Sequence, residues 1–571
     1  MDVDVNIRVS GGAGQGVHTV GGLLSRLAVV SGYHFIATQD YMSRIRGGRN
    51  SYTVRIGSSP VRAGRGEDDV LLALNPGHLP YFLPRLSARG FAVADGPGVS
   101  SSVLSAPLKG MAVTAGSPIL GNVAGLGIIA EALGFLPDAL ERLLAAEFKG
   151  EFLEKNVTAA RLGAEWARVH APGTMRMSPR PSRPRILLSG NEALALGALA
   201  GGCKFAAGYP MTPGTGILQG LLVDGPPLGL VFEQAEDEIA AINMAIGASY
   251  AGARSMVATS GGGFALMAEG LSLAGILETP LVIGLAMRPG PATGMPTRTA
   301  QEDLDFVIHA GHGEFPRAVF APGSPEEAFE LAQLAFDTAE RFQAPVFLLT
   351  DQYLADMSLD LDPETMMIRP VKRHVVRGPD VPRNPEGKYL RYAITENGVS
   401  PMAIPGEPGV TVVVDSDEHG EDGHLTEDHA IRVRMVEKRL RKGREIARHV
   451  LPPLYSGKAT GDLLLVGFGS TKEVVAEARE ILEKEGFSVG AAHLRQVWPL
   501  PARELEGHAS GFRRIVTVEN NATGQLAGIL RRETEMHVDG TIRRFDGLPL
   551  LPADVAKEAR EGAWKTGSKR A

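Results

Sequence analysis

Val3-Asp4-Val5-Asn6-Ile7-Arg8-Val9-Ser10-Gly11-Gly12-Ala13-Gly14-Gln15-Gly16 is the stretch whose reading decides the fold. Apolar residues alternate from Val3 to Val9, the two-residue period of a strand, and the run ends in glycines. A helical period follows from Val17 to Val30, then a second strand from Tyr33 to Thr38. The same strand–glycine–helix plan returns twice. Arg185-Ile186-Leu187-Leu188-Ser189-Gly190 leads into a helix at Asn191 to Ala200, and Leu463-Leu464-Leu465-Val466-Gly467-Phe468-Gly469-Ser470 leads into one at Lys472 to Lys484. Strands alternating with helices predict helix-covered, mainly parallel sheets. The expected fold class is therefore α/β, with three α/β domains.

Reading outward, strands at Tyr52 to Ile56 and Asp69 to Leu74 and an apolar helix at Gly121 to Leu133 complete a first domain over residues 1–170. Residues 171–184 are rich in Pro and Arg and form a linker. A second domain, 185–361, shows apolar runs at Leu230 to Glu233, Met256 to Gly263, Leu281 to Leu285 and Pro345 to Thr350. Residues 362–461 are a polar connecting segment, too long for an ordinary loop, with one charged helix from Asp428 to Arg448. The third domain, 462–571, adds strands near Ser488 to His493 and Ile515 to Glu519.

Composition narrows the function. The 571 residues carry a net charge of −7, so no global basic field marks a nucleic-acid binder. No uninterrupted apolar run is long enough to span a bilayer, and the acidic start lacks a leader pattern, so a cytoplasmic protein with no membrane contact is expected. The single cysteine, Cys203, excludes an internal disulfide and a cysteine-ligated cluster, and reads as a small core residue.

Six segments carry candidate chemistry. The turn Gly11 to Gly16 follows a strand and opens a helix, where backbone N–H groups can hold an anion, but its spacing is neither dinucleotide fingerprint nor P-loop. Tight strand–helix packing explains it equally well. Asp40, placed like a ribose-binding acid, precedes Arg44, Arg46 and Arg49, whose glycine-interleaved guanidiniums suit a phosphate or another polyanion, the alternative being a solvated turn. Gly208-Tyr209-Pro210-Met211-Thr212-Pro213 stands where a strand ends, the position at which α/β sheets bind ligands, and presents the Thr212 hydroxyl between two prolines, though a rigid turn explains it equally well. Among Glu233, Glu236, Asp237 and Glu238, dipole pairing at a helix start explains most; Glu238, last before an Ala-rich face, is the one expected to turn inward. Thr259-Ser260-Gly261-Gly262-Gly263 repeats the strand–turn–helix plan, and the loop Arg288 to Gln301, with Thr residues and one well-placed cation, Arg298, suits a small carboxylate or is equally well an ordinary surface loop. Asp415 to Asp428 reads as a solvated charged loop rather than a metal site, so no metal ligands are assigned.

Taken together these segments resemble the 2-oxoacid:ferredoxin oxidoreductase family, as an alpha subunit with a gamma domain fused ahead of it. The resemblance rests on Gly11 to Gly16 and Arg46-Gly47-Gly48, on Tyr209-Pro210-Met211-Thr212-Pro213, on Glu236-Asp237-Glu238-Ile239-Ala240-Ala241, and on Gly290-Pro291-Ala292-Thr293-Gly294-Met295-Pro296-Thr297-Arg298-Thr299. The third domain looks like a transketolase C-terminal domain, including Val518-Glu519-Asn520-Asn521. Such enzymes decarboxylate a 2-oxoacid oxidatively to an acyl-CoA, or run the reverse carboxylation, with thiamine diphosphate as cofactor. The resemblance implies that Glu238 lies against N1′ of the cofactor's pyrimidine, stabilising the protonated ring. It makes Pro210, Thr259, Ser260 and Gly262 cofactor contacts. It assigns the substrate to Thr212, Arg298, Tyr209 and Thr297, and coenzyme A to Gly14, Gln15, Gly16 and Arg46. The family's Gly-Asp-Gly diphosphate–metal segment is absent from all 571 residues. A smaller beta subunit is therefore expected to bring Mg2+ and the [4Fe-4S] cluster, in an (alpha-beta)2 assembly that reduces ferredoxin, with 2-oxoglutarate the favoured substrate. Two other classes compete: a nicotinamide-dependent dehydrogenase built on the first glycine turn, and a non-catalytic CoA-binding scaffold.

Overall fold

A computed structural model of the protein describes residues 3–42, 48–96, 100–171, 173–178 and 180–562. The chain forms two compact units, 1–188 with 356–363 and 551–553, and 189–355 with 364–550 and 554–571.

The first unit is built on an eight-stranded sheet in the spatial order Val103–Ser105, Leu86–Ala94, Asp68–Ala73, Asp4–Gly11, Asn50–Gly57, His34–Asp40, Ser358–Leu361, Ile186–Ser189. The first four strands are parallel, whereas Asn50–Gly57 runs antiparallel to both its neighbours. The expected parallel plan gives way here because only nine residues separate His34–Asp40 from Asn50–Gly57, fewer than the dozen or so a crossover needs to return a strand in parallel. Both faces of Asp4–Gly11 are covered, so the alternation of its sequence is not an inside–outside one: Asn6, Arg8 and Ser10 are as buried as Val5, Ile7 and Val9. Burial of Arg8 is tolerated because its Nε and Nη2 reach the carboxylate of Asp68 at 2.7 and 3.1 Å. Helix Val17–Val30 covers the strands. Helices Gly121–Leu133 and Gly150–His170 approach at Gly127 and Gly163, where a methyl group would collide with the facing carbonyls of Ala160 and Ala124.

Arg185 to Ser189, expected to open the second domain, instead supplies an edge strand of this first sheet. The reason is electrostatic: Asp360 lies in the neighbouring strand and takes Arg185 Nη1 at 2.9 Å, the Phe35 N–H and the His34 ring. The helix Gly190–Ala200 then starts without a glycine turn, on a capping box of Ser189 and Glu192.

The second unit holds two sheets. The larger has the order Gln496–Trp498, Ala318–Phe320, Pro345–Asp351, Leu281–Met287, Ser255–Thr259, Phe205–Gly208, Val231–Gln234, and is parallel apart from its first strand. The smaller has the order Leu454–Gly457, Val489–Leu494, Leu463–Phe468, Ile515–Glu519, Gly540–Arg543, parallel apart from its edge strand Leu454–Gly457. One continuous apolar core, including Val319, Phe347, Val466, Leu494 and Val497, joins them. The run read as Met256 to Gly263 is a strand only to Thr259; its glycines begin the helix Gly261–Leu266.

The polar segment is pinned by buried charge. Glu278, fully enclosed, receives Lys438 Nζ at 2.6 Å and Lys442 Nζ at 2.5 Å from the charged helix His429–Ala447. Arg391 Nη2 donates to the Glu278 carbonyl at 2.8 Å. The two ammonium groups hold the Glu278 carboxyl far below its ordinary range despite its burial. The stretch around Asp415 to Asp428 is correspondingly less solvated than expected. His419 is fully buried against Tyr392, with ring centroids 4.0 Å apart, and Glu418 is held by Arg439 and Arg432.

Candidate functional site

The carboxyl ends of parallel strands gather the candidate residues of the second unit, as backbone geometry favours. Strand Ser255–Thr259 delivers Thr259 and Ser260, both completely buried, into the turn Gly261-Gly262-Gly263. The Ser260 hydroxyl has no hydrogen-bond partner among the described residues. Helix Glu238–Tyr250 begins beside this turn, capped by Asp237, whose carboxylate accepts the Ala240 N–H at 2.7 Å. Glu233, Glu236 and Asp237 face solvent, while Glu238 is 3% exposed. Its Oε1 is buried with no donor among the described residues. Gly263 is the reason the carboxylate fits: an added Cβ would collide with Thr259 Oγ1 and stand 2.5 Å from Glu238 Oε1.

Two loops flank the turn. A Cβ on Gly262 would meet the Ala292 carbonyl at 3.4 Å and Met211 Sδ at 4.0 Å, so the segments Tyr209 to Pro213 and Gly290 to Gly294 close on it from two sides. Tyr209 and Pro210 are exposed, whereas Met211 and Thr212 are half-buried. The second loop bends at Ala292 (φ 54°) and at Gly294 (φ 54°), where a side chain would collide with the Pro289 carbonyl. The Gly290 N–H is held by Glu302 Oε2 at 2.9 Å. Thr297 and Arg298 are half-buried further along the loop, with Arg298 Cβ 3.1 Å from where a methyl on Gly547 would stand.

Two residues were missed by the sequence reading. Arg288, directly after the buried strand Leu281–Met287, donates from Nη1 to the Thr212 carbonyl at 2.7 Å, while its Nε lacks a partner. Burial pulls its pKa down. Its signal in the sequence was a cation at the end of an all-apolar strand. Asp303 places Oδ2, buried and without a donor, against Gly261. Burial and then the Glu302 charge push its carboxyl up to about 6, with Arg288 opposing them.

The first glycine turn is differently furnished. Gln15 Oε1 accepts the Gly12 N–H at 2.6 Å, the Gln15 carbonyl accepts from Asn122 Nδ2 at 3.3 Å, and Gly16 (φ 73°) lies against the Asn122 amide. Gly14 (φ 81°) has nothing among the described residues within 4 Å of where a side chain would start. Arg49 stacks over Tyr81, 4.0 Å from the ring centroid. Arg44 and Arg46 lie outside the described residues. Cys203 is buried, and burial pushes its thiol up to about 12, which leaves no reactive thiolate. Among the described residues no three His, Cys, Asp or Glu side chains group to hold a metal ion, and no helix is long and apolar enough to cross a membrane.

Three family models match this chain: "Pyruvate ferredoxin/flavodoxin oxidoreductase" over residues 6–166, "Pyruvate flavodoxin/ferredoxin oxidoreductase, thiamine diP-bdg" over 196–438, and "Pyruvate:ferredoxin oxidoreductase core domain II" over 461–548. Fold, site and matches define a class, the oxidoreductases that act on 2-oxoacids. The alpha subunit of 2-oxoacid:ferredoxin oxidoreductase 2 from Aeropyrum pernix is 32% identical over 100% of this chain and 99% of its own length. Subunit KorA of the 2-oxoglutarate oxidoreductase of Mycobacterium tuberculosis is 30% identical, covering 98% of this chain and 91% of its own. The solved 2-oxoglutarate:ferredoxin oxidoreductase from Magnetococcus marinus, with 2-oxoglutarate, coenzyme A and succinyl-CoA bound, superposes with a TM-score of 0.90 at 30% identity, over 98% of this chain and 99% of that one. The chain belongs to the 2-oxoacid:ferredoxin oxidoreductase alpha-subunit family. That membership sets aside the nicotinamide-dehydrogenase and scaffold alternatives.

Proposed function

We propose that this chain is the larger subunit of a CoA-dependent oxidoreductase that uses thiamine diphosphate and prefers 2-oxoglutarate. The overall change is 2-oxoacid anion plus coenzyme A thiol plus two oxidised ferredoxins giving acyl-CoA, carbon dioxide, one proton and two singly reduced ferredoxins. The names of the KorA relatives and of the Magnetococcus marinus structure support 2-oxoglutarate. The observation that carries the reading is Glu238: a buried carboxylate with an unpartnered oxygen at a glycine-floored cradle. A buried charge lacking a donor costs stability unless a ligand supplies one, so the residues present fit a protonatable aminopyrimidine.

Bound thiamine diphosphate would supply a carbon nucleophile for the keto carbon and an electron sink for loss of carbon dioxide. Glu238 holds the proton at pyrimidine N1′. Pro210, Thr259, Ser260 and Gly262 would hold the pyrimidine, and Gly263, lacking a Cβ, would leave it room beside Glu238. Thr212 and Arg298 hold the substrate carboxylate, with Tyr209 and Thr297 beside them, and Arg288 fixes the backbone of Thr212. Coenzyme A is assigned to the first glycine turn, where Gly14 is the open member, and to Arg46.

The missing Gly-Asp-Gly and the single cysteine support a beta partner that contributes Mg2+ and the [4Fe-4S] cluster, in an (alpha-beta)2 assembly in the cytoplasm. Exposed apolar side chains near the site, Tyr209, Ile239, Met244 and Met295, support a partner surface there. Co-purification with the partner, followed by a 2-oxoacid panel with coenzyme A and ferredoxin, tests the reading. 2-Oxoglutarate is expected to outrun pyruvate, and the partner-free chain to be inactive. Turnover by the partner-free chain would overturn the shared-site reading.

A further inference from the structure

In open α/β sheets the crevice at the carboxyl ends of adjacent parallel strands ordinarily receives a ligand. In the smaller sheet of the second unit, the strands Leu463–Phe468 and Ile515–Glu519 lie side by side and end at Phe468 and Glu519, with Asn520 following directly. Their crevice is filled by the protein itself. Gln301, completely buried, donates from its backbone N–H to the Asn520 carbonyl at 2.7 Å and accepts the Asn520 N–H on Oε1 at 3.0 Å. Its Nε2 donates to the Phe468 carbonyl at 2.9 Å, and its own carbonyl accepts from Asn521 Nδ2 at 3.2 Å.

The clamp extends along the loop in both directions. The Thr299 N–H donates to the Gly547 carbonyl at 3.1 Å. Gln525 Nε2 donates to the Glu302 carbonyl at 2.7 Å, and Gln525 Oε1 accepts the Asp305 N–H at 3.0 Å. Asn521 is itself held by Glu519, a buried carboxylate that also takes the Leu526 and Ala527 N–H groups at 2.7 and 3.1 Å. Every one of these anchors lies beyond residue 460 in sequence, while the loop they hold carries Arg298.

We infer that Gln301 is a positioning residue: it locks the loop into the crevice of the smaller sheet and so fixes where Arg298 meets the substrate carboxylate. The inference rests on the assignment of Arg298 proposed above. A buried amide with all its groups satisfied loses its geometry when one partner is removed, and a small misplacement of a binding group is costly in catalysis.

The test uses the complex of this chain with its partner. Gln301→Ala is expected to raise KM for the 2-oxoacid about ten- to a hundred-fold. The expected change in kcat is below about threefold, with KM for coenzyme A unchanged. On an Arg298→Ala background the same substitution is expected to add nothing, because residues acting as one unit are not additive. Gln301→Glu keeps the shape but, when ionised, cannot donate to the Phe468 carbonyl. Burial raises that carboxyl above its ordinary range, so its KM defect is expected to shrink as the pH falls through the interval in which the buried carboxyl regains its proton. That variant carries the test should Gln301→Ala fail to assemble. Additive effects, a loss confined to kcat, or a pH-independent Gln301→Glu defect would overturn the inference alone. If Arg298→Ala left KM unchanged, the substrate assignment itself would fall, and the inference with it.

Discussion

Two glycine turns in this protein, Gly11 to Gly16 and Ser260 to Gly263, look alike in sequence and differ in what their neighbours do. Each follows a buried strand and opens a helix. In the first, Gln15 folds back onto the Gly12 N–H and Asn122 presses on Gly16, so much of the turn is satisfied from within. In the second, the Ser260 hydroxyl, one oxygen of Glu238 and one of Asp303 are all buried and unmatched. Buried polar groups are ordinarily hydrogen-bonded, so unmatched ones gathered around one turn mark where a ligand supplies the missing partners. Glycine spacing alone does not separate the two cases.

The largest effect expected to sharpen this comparison comes from Glu238→Gln. Loss of the charge at the second turn should lower 2-oxoacid oxidation by about 10²- to 10⁴-fold, with assembly intact. Near-normal turnover in a steady-state assay would remove the second turn from the chemistry.

Gly263→Ala comes next. Its methyl group meets Thr259 Oγ1 and Glu238 Oε1, and a shifted carboxylate should cost roughly ten- to a hundred-fold in kcat/KM. The accompanying loss of stability should be about 1–3 kcal/mol.

A smaller effect concerns pH. Asp303, pushed up to about 6, keeps its proton in the native state over the interval from 3.8 to about 6, in which the unfolded chain has released it. Stability therefore falls as pH rises through that interval and is level on either side. For a partly exposed residue the fall should be about 1–2 kcal/mol. Melting temperatures of the complex across this range should lose the slope in Asp303→Asn; a slope that persists would assign it to another group.

The smallest change is expected at the first turn. Gln15→Ala frees the Gly12 N–H, should cost about 1 kcal/mol in stability, and should raise KM for coenzyme A by no more than about fivefold. An unaltered KM would take the Gln15 side chain out of the coenzyme site and sharpen the contrast.

Much of the architecture is legible in the residues. The helices Val17–Val30 and Gly121–Leu133 follow from apolar spacing, which is local and survives any tertiary arrangement. Glu238 is legible too, as the last acid before an Ala-rich helical face. Arg288 and Asp303 were not, because a lone cation after a strand and one acid among several have no periodicity to betray them. Their significance lies in the Thr212 carbonyl and Gly261, 76 and 42 residues away in the chain.

By itself the sequence determined the α/β class, the family resemblance and the lack of a cysteine-ligated cluster, since these rest on residue type, short-range spacing and composition. Only the tertiary structure decided that Ile186–Ser189 completes the first sheet, that Glu278 pins the polar segment, and that Gln301 fills the crevice of the smaller sheet. The physical reason is the same in each case. A buried polar or charged group must find its partner, and that partner is fixed by where the folded chain returns rather than by what lies next to it in sequence.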